Sequence, residues 1–355
     1  MLVVACVLGL SLFALGQGNV LRLLTWEGYI TPELIAKFQD ETGIRVEYTY
    51  VADNGEIIAM LRASPSAADL AQPDLDNMLE SQQWNLYQPI DYSRIPNVAN
   101  IDPVFIEAVR NTPGAFSEGQ FFWVPFNWGT SGIIYRTDAV TEEVDSYGVL
   151  FDPQYAGKIT YRTAFPTLVS TGLYLGYDMR RVLITGDVDL ARRVFQAIAD
   201  FLIEKKPLVK DYWNGIQQRH IQLMTTGGCV VSQGWDGTAW ALMEMGVPVR
   251  YVDPKEGSLG WMGGFAIPTG SRNVEGAYLW INFILDPENY AMVLEGGGYS
   301  PVVPAALELI SEEVRERLEG THTPEGIANI WWYPPFPPQL SDIVNDALQR
   351  IETAP

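Results

Sequence analysis

The chain has 355 residues, and this length favours two domains, because single hydrophobic cores usually stop growing at roughly 250–300 residues. A hydrophobic content of 47% with 19% charged residues is that of a globular protein and excludes a disordered or fibrous chain. The net charge of −20 argues against nucleic acid or an anionic membrane surface as a partner, and it is compatible with a cationic ligand.

The N-terminus carries a targeting signal. Residues 2–15 form an almost uninterrupted apolar run, long enough for the core of a signal peptide and too short for a transmembrane helix. The small-x-small sequence at residues 14–16 predicts a signal peptide over residues 1–16, although the usual basic segment before the apolar run is missing. Residues 3–6 also resemble a lipobox, so a lipid anchor on Cys6 is the alternative to simple cleavage. In both cases we expect a periplasmic or other extracytoplasmic protein.

The first predicted elements after this leader are a strand, a helix and a second strand. Residues 20–24 form a short apolar strand, and Pro32 suits the first position of a helix that ends at Gly43. From Ile44 the hydrophobic period changes to two, which indicates a strand. This order predicts an α/β fold with a parallel sheet, in which ligands bind beyond the carboxyl ends of the strands. The turn at residues 26–29 follows the first strand at that edge.

Several later strands are expected to end in loops that carry Trp, Asp or both. We expect buried strands at residues 68–71, 121–125, 131–135 and 229–233, and helices at residues 56–62, 190–204 and 274–285. The first of these strands leads to Asp74 and Asp76, and the last leads to Trp235 and Asp236. Residues 126–130 are expected to form a loop between two strands, and residues 331–338 an irregular loop before the final helix.

Motifs of enzymes are missing from the sequence. The two histidines, His220 and His322, lie outside any nucleophile, metal or phosphate motif, and the chain has no phosphate loop, nucleophile elbow or HExxH. Asp74 and Asp76 leave a secreted glycosidase as an alternative, because such enzymes combine Trp platforms with paired carboxylates. We predict a binding protein with no catalytic residues, no metal site and no cofactor.

A cleft lined by aromatic rings and carboxylates can bind a cation without any reaction. Aromatic faces attract ammonium and guanidinium groups, and carboxylates accept charge-assisted hydrogen bonds from them. The predicted ligand-binding residues are the aromatic side chains Trp26, Tyr29, Trp128, Trp235, Trp261 and Tyr299 and the carboxylates Glu27, Asp74, Asp76 and Asp236.

Four different motifs stand out along the chain. They are LTWEGYITP at residues 24–32, PFNWGT at 125–130, VDPKEG at 252–257 with a Trp-Met pair at 261–262, and WINFILDP at 280–287. Together they resemble the periplasmic spermidine/putrescine-binding proteins of bacterial ABC importers, from about residue 20 to residue 311. The resemblance implies a periplasmic-binding-protein-like fold, with two α/β lobes joined by crossing hinge strands. It also implies closure of the lobes on a small ligand and a membrane permease as partner.

The resemblance also implies how the chain is divided between the lobes. Residues 17–127 and about 262–301 would form lobe 1, and residues 128–261 and about 302–355 would form lobe 2. A clamp that closes about a hinge is expected to be a monomer.

The aromatic walls of the family are retained at Trp26, Tyr29, Trp235, Trp261 and Tyr299, whereas its charged anchors are not. Gly263 stands where polyamine binders have an Asp after the Trp-Met pair. Thr163 and Pro166 stand where an Asp and a Glu hold another amine.

Other charged residues offer replacements for these anchors. Asp74 and Asp76 replace a Ser and a Tyr of the family and can restore two charges, and Arg162, if it faces the cleft, would admit a carboxylate instead. We therefore predict a solute-binding protein of an ABC importer for a small, polyamine-like organic cation. The alternative is the same scaffold with another solute, such as an amino-acid derivative, an aminophosphonate or a sugar.

Overall fold

A computed structural model describes residues 19–213, 215–297, 299–335 and 337–355. The predicted signal peptide at residues 1–16 and the predicted lipid-anchor position Cys6 lie outside the described residues. None of the helices in the described part of the chain combines the length and the apolar character that are needed to cross a membrane.

Strands and helices are interspersed along the described part of the chain. The strands are β1 (Val20–Thr25), β2 (Arg45–Tyr50), β3 (Leu70–Ala71), β4 (Phe116–Ser117), β5 (Gln120–Phe121), β6 (Val124–Arg136), β7 (Ile159–Tyr161), β8 (Val209–Tyr212), β9 (Val231–Trp235), β10 (Val249–Val252), β11 (Leu259–Phe265), β12 (Ser300–Pro301) and β13 (Trp331–Trp332). The helices are α1 (Pro32–Thr42), α2 (Asn54–Ala63), α3 (Met78–Gln83), α4 (Pro103–Arg110), α5 (Phe165–Tyr174), α6 (Met179–Ile184), α7 (Val188–Lys205), α8 (Gln217–Thr225), α9 (Asp236–Glu244), α10 (Val274–Ile284), α11 (Pro287–Glu295), α12 (Glu312–Gly320), α13 (Pro324–Ala328) and α14 (Ser341–Thr353).

The N-terminal sheet contains the predicted β–α–β unit. β1 pairs in parallel with β2 on one side and with β3 on the other. Helix α1 begins as predicted, because the Thr31 hydroxyl accepts a hydrogen bond from the backbone N–H of Leu34 at 3.2 Å. It ends at Gly43, whose φ of 69° is the left-handed conformation that glycine adopts readily. All three strands therefore end at the same edge of the sheet.

The larger sheet has eight strands, in the order β13-β11-β6-β9-β7-β8, with β10 and β12 also paired with β6. Within it, β7 pairs in parallel with both β8 and β9, so these three strands also end at one edge. All four pairings of β6 are antiparallel, and β13 pairs in parallel with β11. The α/β prediction is confirmed, and the sheet is of mixed type rather than wholly parallel.

The long strand β6 corrects one prediction. Residues 126–130 were expected to form a loop, but they are part of one continuous strand of 13 residues. The backbone there is paired with β11 and β12, which come from distant parts of the chain, so tertiary pairing overrides the local turn signal.

Strands β6 and β11 each run from one hydrophobic core to the other. Phe126 and Phe265 are buried in the core of the N-terminal sheet, and Ile133 and Leu259 are buried in the core of the larger sheet. The two strands therefore join two separately packed bodies, which are the two lobes.

The C-terminal segment contributes to both cores. Val302 and Val314 pack with the first core, and Leu340 and Ile351 pack with the second. The lobe boundaries given in the sequence analysis stay a prediction.

Candidate ligand-binding cleft

Two sets of parallel strand ends face each other across a cavity of about 700 Å³. On one side, Trp26 follows β1 and Asp74 comes shortly after β3. On the other side, Arg162 follows β7 and Trp235 ends β9. Side chains at the carboxyl ends of parallel strands converge, which is why such edges form binding sites in α/β proteins.

Eight of the ten predicted site residues line this cavity. They are Trp26, Glu27, Tyr29, Asp74, Asp76, Trp235, Trp261 and Tyr299. The structure brings them together from five separate parts of the chain, and their role in binding stays a prediction.

The other two predicted site residues, Trp128 and Asp236, are not among the lining residues. The Trp128 ring stacks on His322 at a centroid distance of 6.1 Å, and its indole N–H donates to the Pro301 carbonyl at 3.2 Å. The Asp236 carboxylate is fully buried, accepts from the Thr130 backbone N–H at 2.9 Å and lies 3.5 Å from His322 Nε2. Both side chains therefore make structural contacts outside the wall of the cavity.

Asp74 and Asp76 are half-buried carboxylates with neutral partners. The Asn54 side-chain amide donates to Asp74 at 2.8 Å, and the Asn77 side-chain amide donates to Asp76 at 3.0 Å. Within the described residues, no Lys or Arg nitrogen lies within 4.0 Å of either carboxylate. Asp74 precedes a short 3₁₀ turn without capping it through its side chain. Both carboxylates are therefore available to a positively charged ligand.

Burial disfavours the charged form of both carboxyl groups. It raises the pKa of Asp74 to about 6, although the Asn54 amide and the more distant Arg162 charge oppose this shift. Burial also raises the pKa of Asp76 well above its usual value, and the neighbouring charge of Asp74 raises it further. An ammonium group placed beside the pair would relieve both effects.

The aromatic side chains hold one another in fixed orientations. Tyr29 stacks on Trp261 at 6.4 Å with an interplanar angle of 19°, and Tyr299 meets Trp261 edge-on at 4.7 Å. The Trp26 indole N–H donates to the Gln72 carbonyl at 2.7 Å, which fixes its ring at the end of β1. Such rigid faces can bind a cation with little loss of side-chain entropy.

Close packing between the crossing strands positions Trp261. Gly129 pairs with Trp261 across β6 and β11, and a Cβ atom at residue 129 would lie 2.5 Å from the Trp261 ring. Only glycine leaves room for the ring in this position.

The cavity also contains Tyr333, Asn54 and Arg162, which the site prediction omitted or left conditional. Burial raises the pKa of the Tyr333 phenol well above its usual value, so the phenol is neutral and can donate a hydrogen bond. The aromatic-rich sequence at residues 331–338 could have pointed to Tyr333 as a site residue. Tyr333 is far from the other site residues in the sequence, so nothing local connected it with them. Asn54 had no distinguishing local pattern.

Matched sequence families identify the scaffold. A model of the family described as bacterial extracellular solute-binding protein matches residues 33–317, which is most of the chain. The chain belongs to this family. The predictions of a periplasmic-binding-protein-like fold, an extracytoplasmic location and a non-enzymatic binding protein of an ABC importer are therefore confirmed. Membership also excludes the secreted glycosidase.

Individual relatives agree with this assignment. The spermidine/putrescine-binding periplasmic protein of Escherichia coli is 29% identical over 316 residues, which cover 87% of this chain and 85% of that protein. The putrescine-binding periplasmic protein PotF of Escherichia coli is 28% identical over 318 residues, which cover 84% and 82%. A solved structure described as a spermidine/putrescine ABC transporter protein from Listeria monocytogenes superimposes with a TM-score of 0.82 at 28% identity, covering 94% of this chain and 99% of that one.

Proposed function

We propose that this solute-binding protein holds a small organic cation, polyamine-like in its ammonium chemistry, between its two lobes and delivers it to the permease of an ABC importer. The observation that carries the proposal is the pair Asp74 and Asp76, which line a cavity with aromatic walls. Within the described residues, no Lys or Arg nitrogen lies within 4.0 Å of either carboxylate. Relatives named for putrescine and spermidine binding support the same class of ligand.

The position of Asp74 supports its role as a relocated anchor. Asp74 and Gly263 form an isolated antiparallel bridge, and cross-strand neighbours have Cβ positions roughly 4.5–5.5 Å apart. A carboxylate at residue 74 therefore reaches nearly the same space as the Asp that polyamine binders carry at the position of Gly263. A side chain at residue 263 would itself be crowded, since a Cβ there would lie 2.5 Å from Asn127 Oδ1 and 2.7 Å from the Tyr29 hydroxyl.

Contacts across the cleft support lobe closure around the ligand. The Ser341 hydroxyl on α14 lies 3.3 Å from the Glu80 carboxylate of α3. At another part of the rim, Gly215 approaches Ala52 so closely that a Cβ on Gly215 would lie 2.7 Å from the Ala52 carbonyl oxygen. We propose that the two lobes close at these points and that the protein acts as a monomer with the lobe boundaries predicted above.

Calorimetric titration with putrescine and spermidine tests the ligand class. We expect both amines to bind, and the uncharged analogue 1,4-butanediol not to bind. Asp74→Asn should weaken amine binding about 10-fold or more, because a charge-assisted contact in a desolvated site contributes about 1.5–3 kcal/mol.

Asp40→Asn is the matched control, because Asp40 is exposed on α1 and outside the cavity. It should bind like the wild type. Because burial raises the pKa of Asp74, Asp74→Asn should melt at the same temperature as the wild type or slightly higher, which separates lost binding from lost folding. Equal amine affinity of Asp74→Asn and the wild type would contradict the proposal.

A further inference from the structure

Arg162 is the basic group of the cleft. It follows β7, and its guanidinium carbon lies 5.1 Å from the ring centroid of Trp235 and 5.4 Å from that of Trp213. Of the cavity-lining residues that the structure describes, Arg162 is the one Lys or Arg. No Asp or Glu oxygen of the described chain lies within 4.0 Å of its guanidinium.

The surroundings of Arg162 do not neutralise it. Burial lowers its pKa, and the charges of Tyr333, Asp53, Asp74 and Tyr299 oppose this shift through space. A guanidinium group nevertheless keeps its charge in proteins. Its planar fork matches a carboxylate, with which it can form two parallel hydrogen bonds. A half-buried guanidinium that packs on aromatic rings and has no contacting anion within the described residues can therefore receive a carboxylate.

Arg162 and the two carboxylates come from opposite sides of the cavity. Asp74 and Asp76 follow strand β3 of the N-terminal sheet, whereas Arg162 follows β7 of the larger sheet. The cavity is therefore lined by these two carboxylates from the side of one sheet and by the Arg162 guanidinium from the side of the other.

We infer that the ligand is a zwitterion, an amino acid whose ammonium group contacts Asp74 and Asp76 and whose carboxylate contacts Arg162. This inference rests on the proposed cation site, because the ammonium group of the zwitterion occupies it. A diamine of the same length would bring a second positive charge toward Arg162, and like charges at short distance repel. Arg162 thus favours an amino acid over the diamine of equal length, while the ammonium site accepts either.

Paired ligands of equal length test the inference by calorimetric titration. The probes are linear diamines with three to six carbon atoms and the ω-amino acids in which a carboxylate replaces one terminal amine. We expect the best amino acid to bind the wild type about 10- to 100-fold more tightly than the diamine of equal length. The chain length of the amino acid that binds best measures the distance between the two carboxylates and Arg162.

Substitution of Arg162 is the second test of the inference. Arg162→Gln should weaken amino-acid binding about 10- to 100-fold and leave diamine binding unchanged or improved. Arg162→Lys keeps the charge but loses the fork, so it should show a smaller loss. Arg193→Gln, on the exposed face of α7, is the matched control and should bind like the wild type. Thermal melting of each variant checks that it is folded.

The outcomes separate the two proposals. If diamines bind at least as tightly as the amino acids, and Arg162→Gln changes neither affinity, the zwitterion inference is wrong while the cation site stands. If neither series binds the wild type, or if Asp74→Asn leaves the affinity of the bound amine unchanged, the proposed function fails and the inference fails with it.

Discussion

Asp74 is a carboxylate whose ionisation links the chemistry of the cleft to pH. Burial raises its pKa to about 6, so in the protein without a bound cation the charged form is disfavoured relative to the unfolded chain. Such a group reduces stability at pH values above 6, and this penalty disappears as the pH falls below the unfolded value of about 4. The same charge is required for ammonium binding. The charged form of Asp74 therefore lowers the stability of the unliganded protein but is needed for cation affinity, a combination that is common at binding sites.

We expect cation affinity to fall when the pH is lowered through 6. At pH 5 Asp74 would be protonated in about nine molecules out of ten, so the affinity for an amine should be about 10-fold lower than at pH 7.5. Calorimetric titrations at a series of pH values measure this change. Asp40→Asn should keep the same dependence, and the double variant Asp74→Asn with Asp76→Asn should lose most of it. An amine affinity that stays constant from pH 7.5 to pH 5 would exclude the charged Asp74 carboxylate from the site.

The crossing strands β6 and β11 place the aromatic walls, and they do so through glycines. Gly129 lies against the Trp261 ring, and Gly263 lies against Tyr29 and Asn127. A side chain at either position would occupy space already filled by a residue of the cleft. Packing between β6, β11 and the residues of the cleft therefore explains the glycines in these strands. Glycine has no preference of its own for strand structure.

Gly129→Ala tests this packing. The added methyl group would overlap the Trp261 ring, so we expect a loss of about 1–3 kcal/mol in the free energy of unfolding together with weaker ligand binding. Gly320→Ala is the control, since a Cβ at residue 320 meets no atom within 4 Å. Thermal melting and calorimetric titration of both variants give the comparison. A Gly129→Ala protein that melts and binds like the wild type would show that Trp261 is not held by this contact.

At the scale of the whole molecule, the crossing strands and the C-terminal segment join two separately packed lobes that line the cleft. A ligand that touches Asp74 in one lobe and Trp235 in the other stabilises the closed arrangement, because it binds the open one with fewer contacts. Closure and binding are therefore thermodynamically coupled.

We expect a bound ligand to compact and stabilise the protein. Small-angle scattering should show a smaller radius of gyration when the preferred ligand is added at saturation. At a ligand concentration of about 100 times Kd, the linked gain in stability is about 2.7 kcal/mol, which raises the melting temperature. A melting temperature that rises without any change in scattering would contradict closure while leaving binding intact.

Features of this protein that depend on interactions between residues close together in the sequence could be predicted, and features that depend on distant partners could not. The β–α–β order, the start of α1 at Pro32 and the position of Trp26 after β1 depend on neighbouring residues, so periodicity and turn chemistry predicted them. The family motifs extended the prediction to the two lobes and to most of the aromatic walls, because they record packing that is common to related chains.

Tertiary structure alone decided the remaining features. Residues 126–130 became strand through pairing with β11, and Trp128 and Asp236 contact His322 instead of lining the cavity. Asp74 came to lie beside Gly263, and Arg162 came to face the cleft from the opposite sheet. Each of these placements depends on partners far away in the chain. The sequence by itself thus determined which chemical groups stand at the strand ends, and only the packing of the two sheets decided which of them share a cleft.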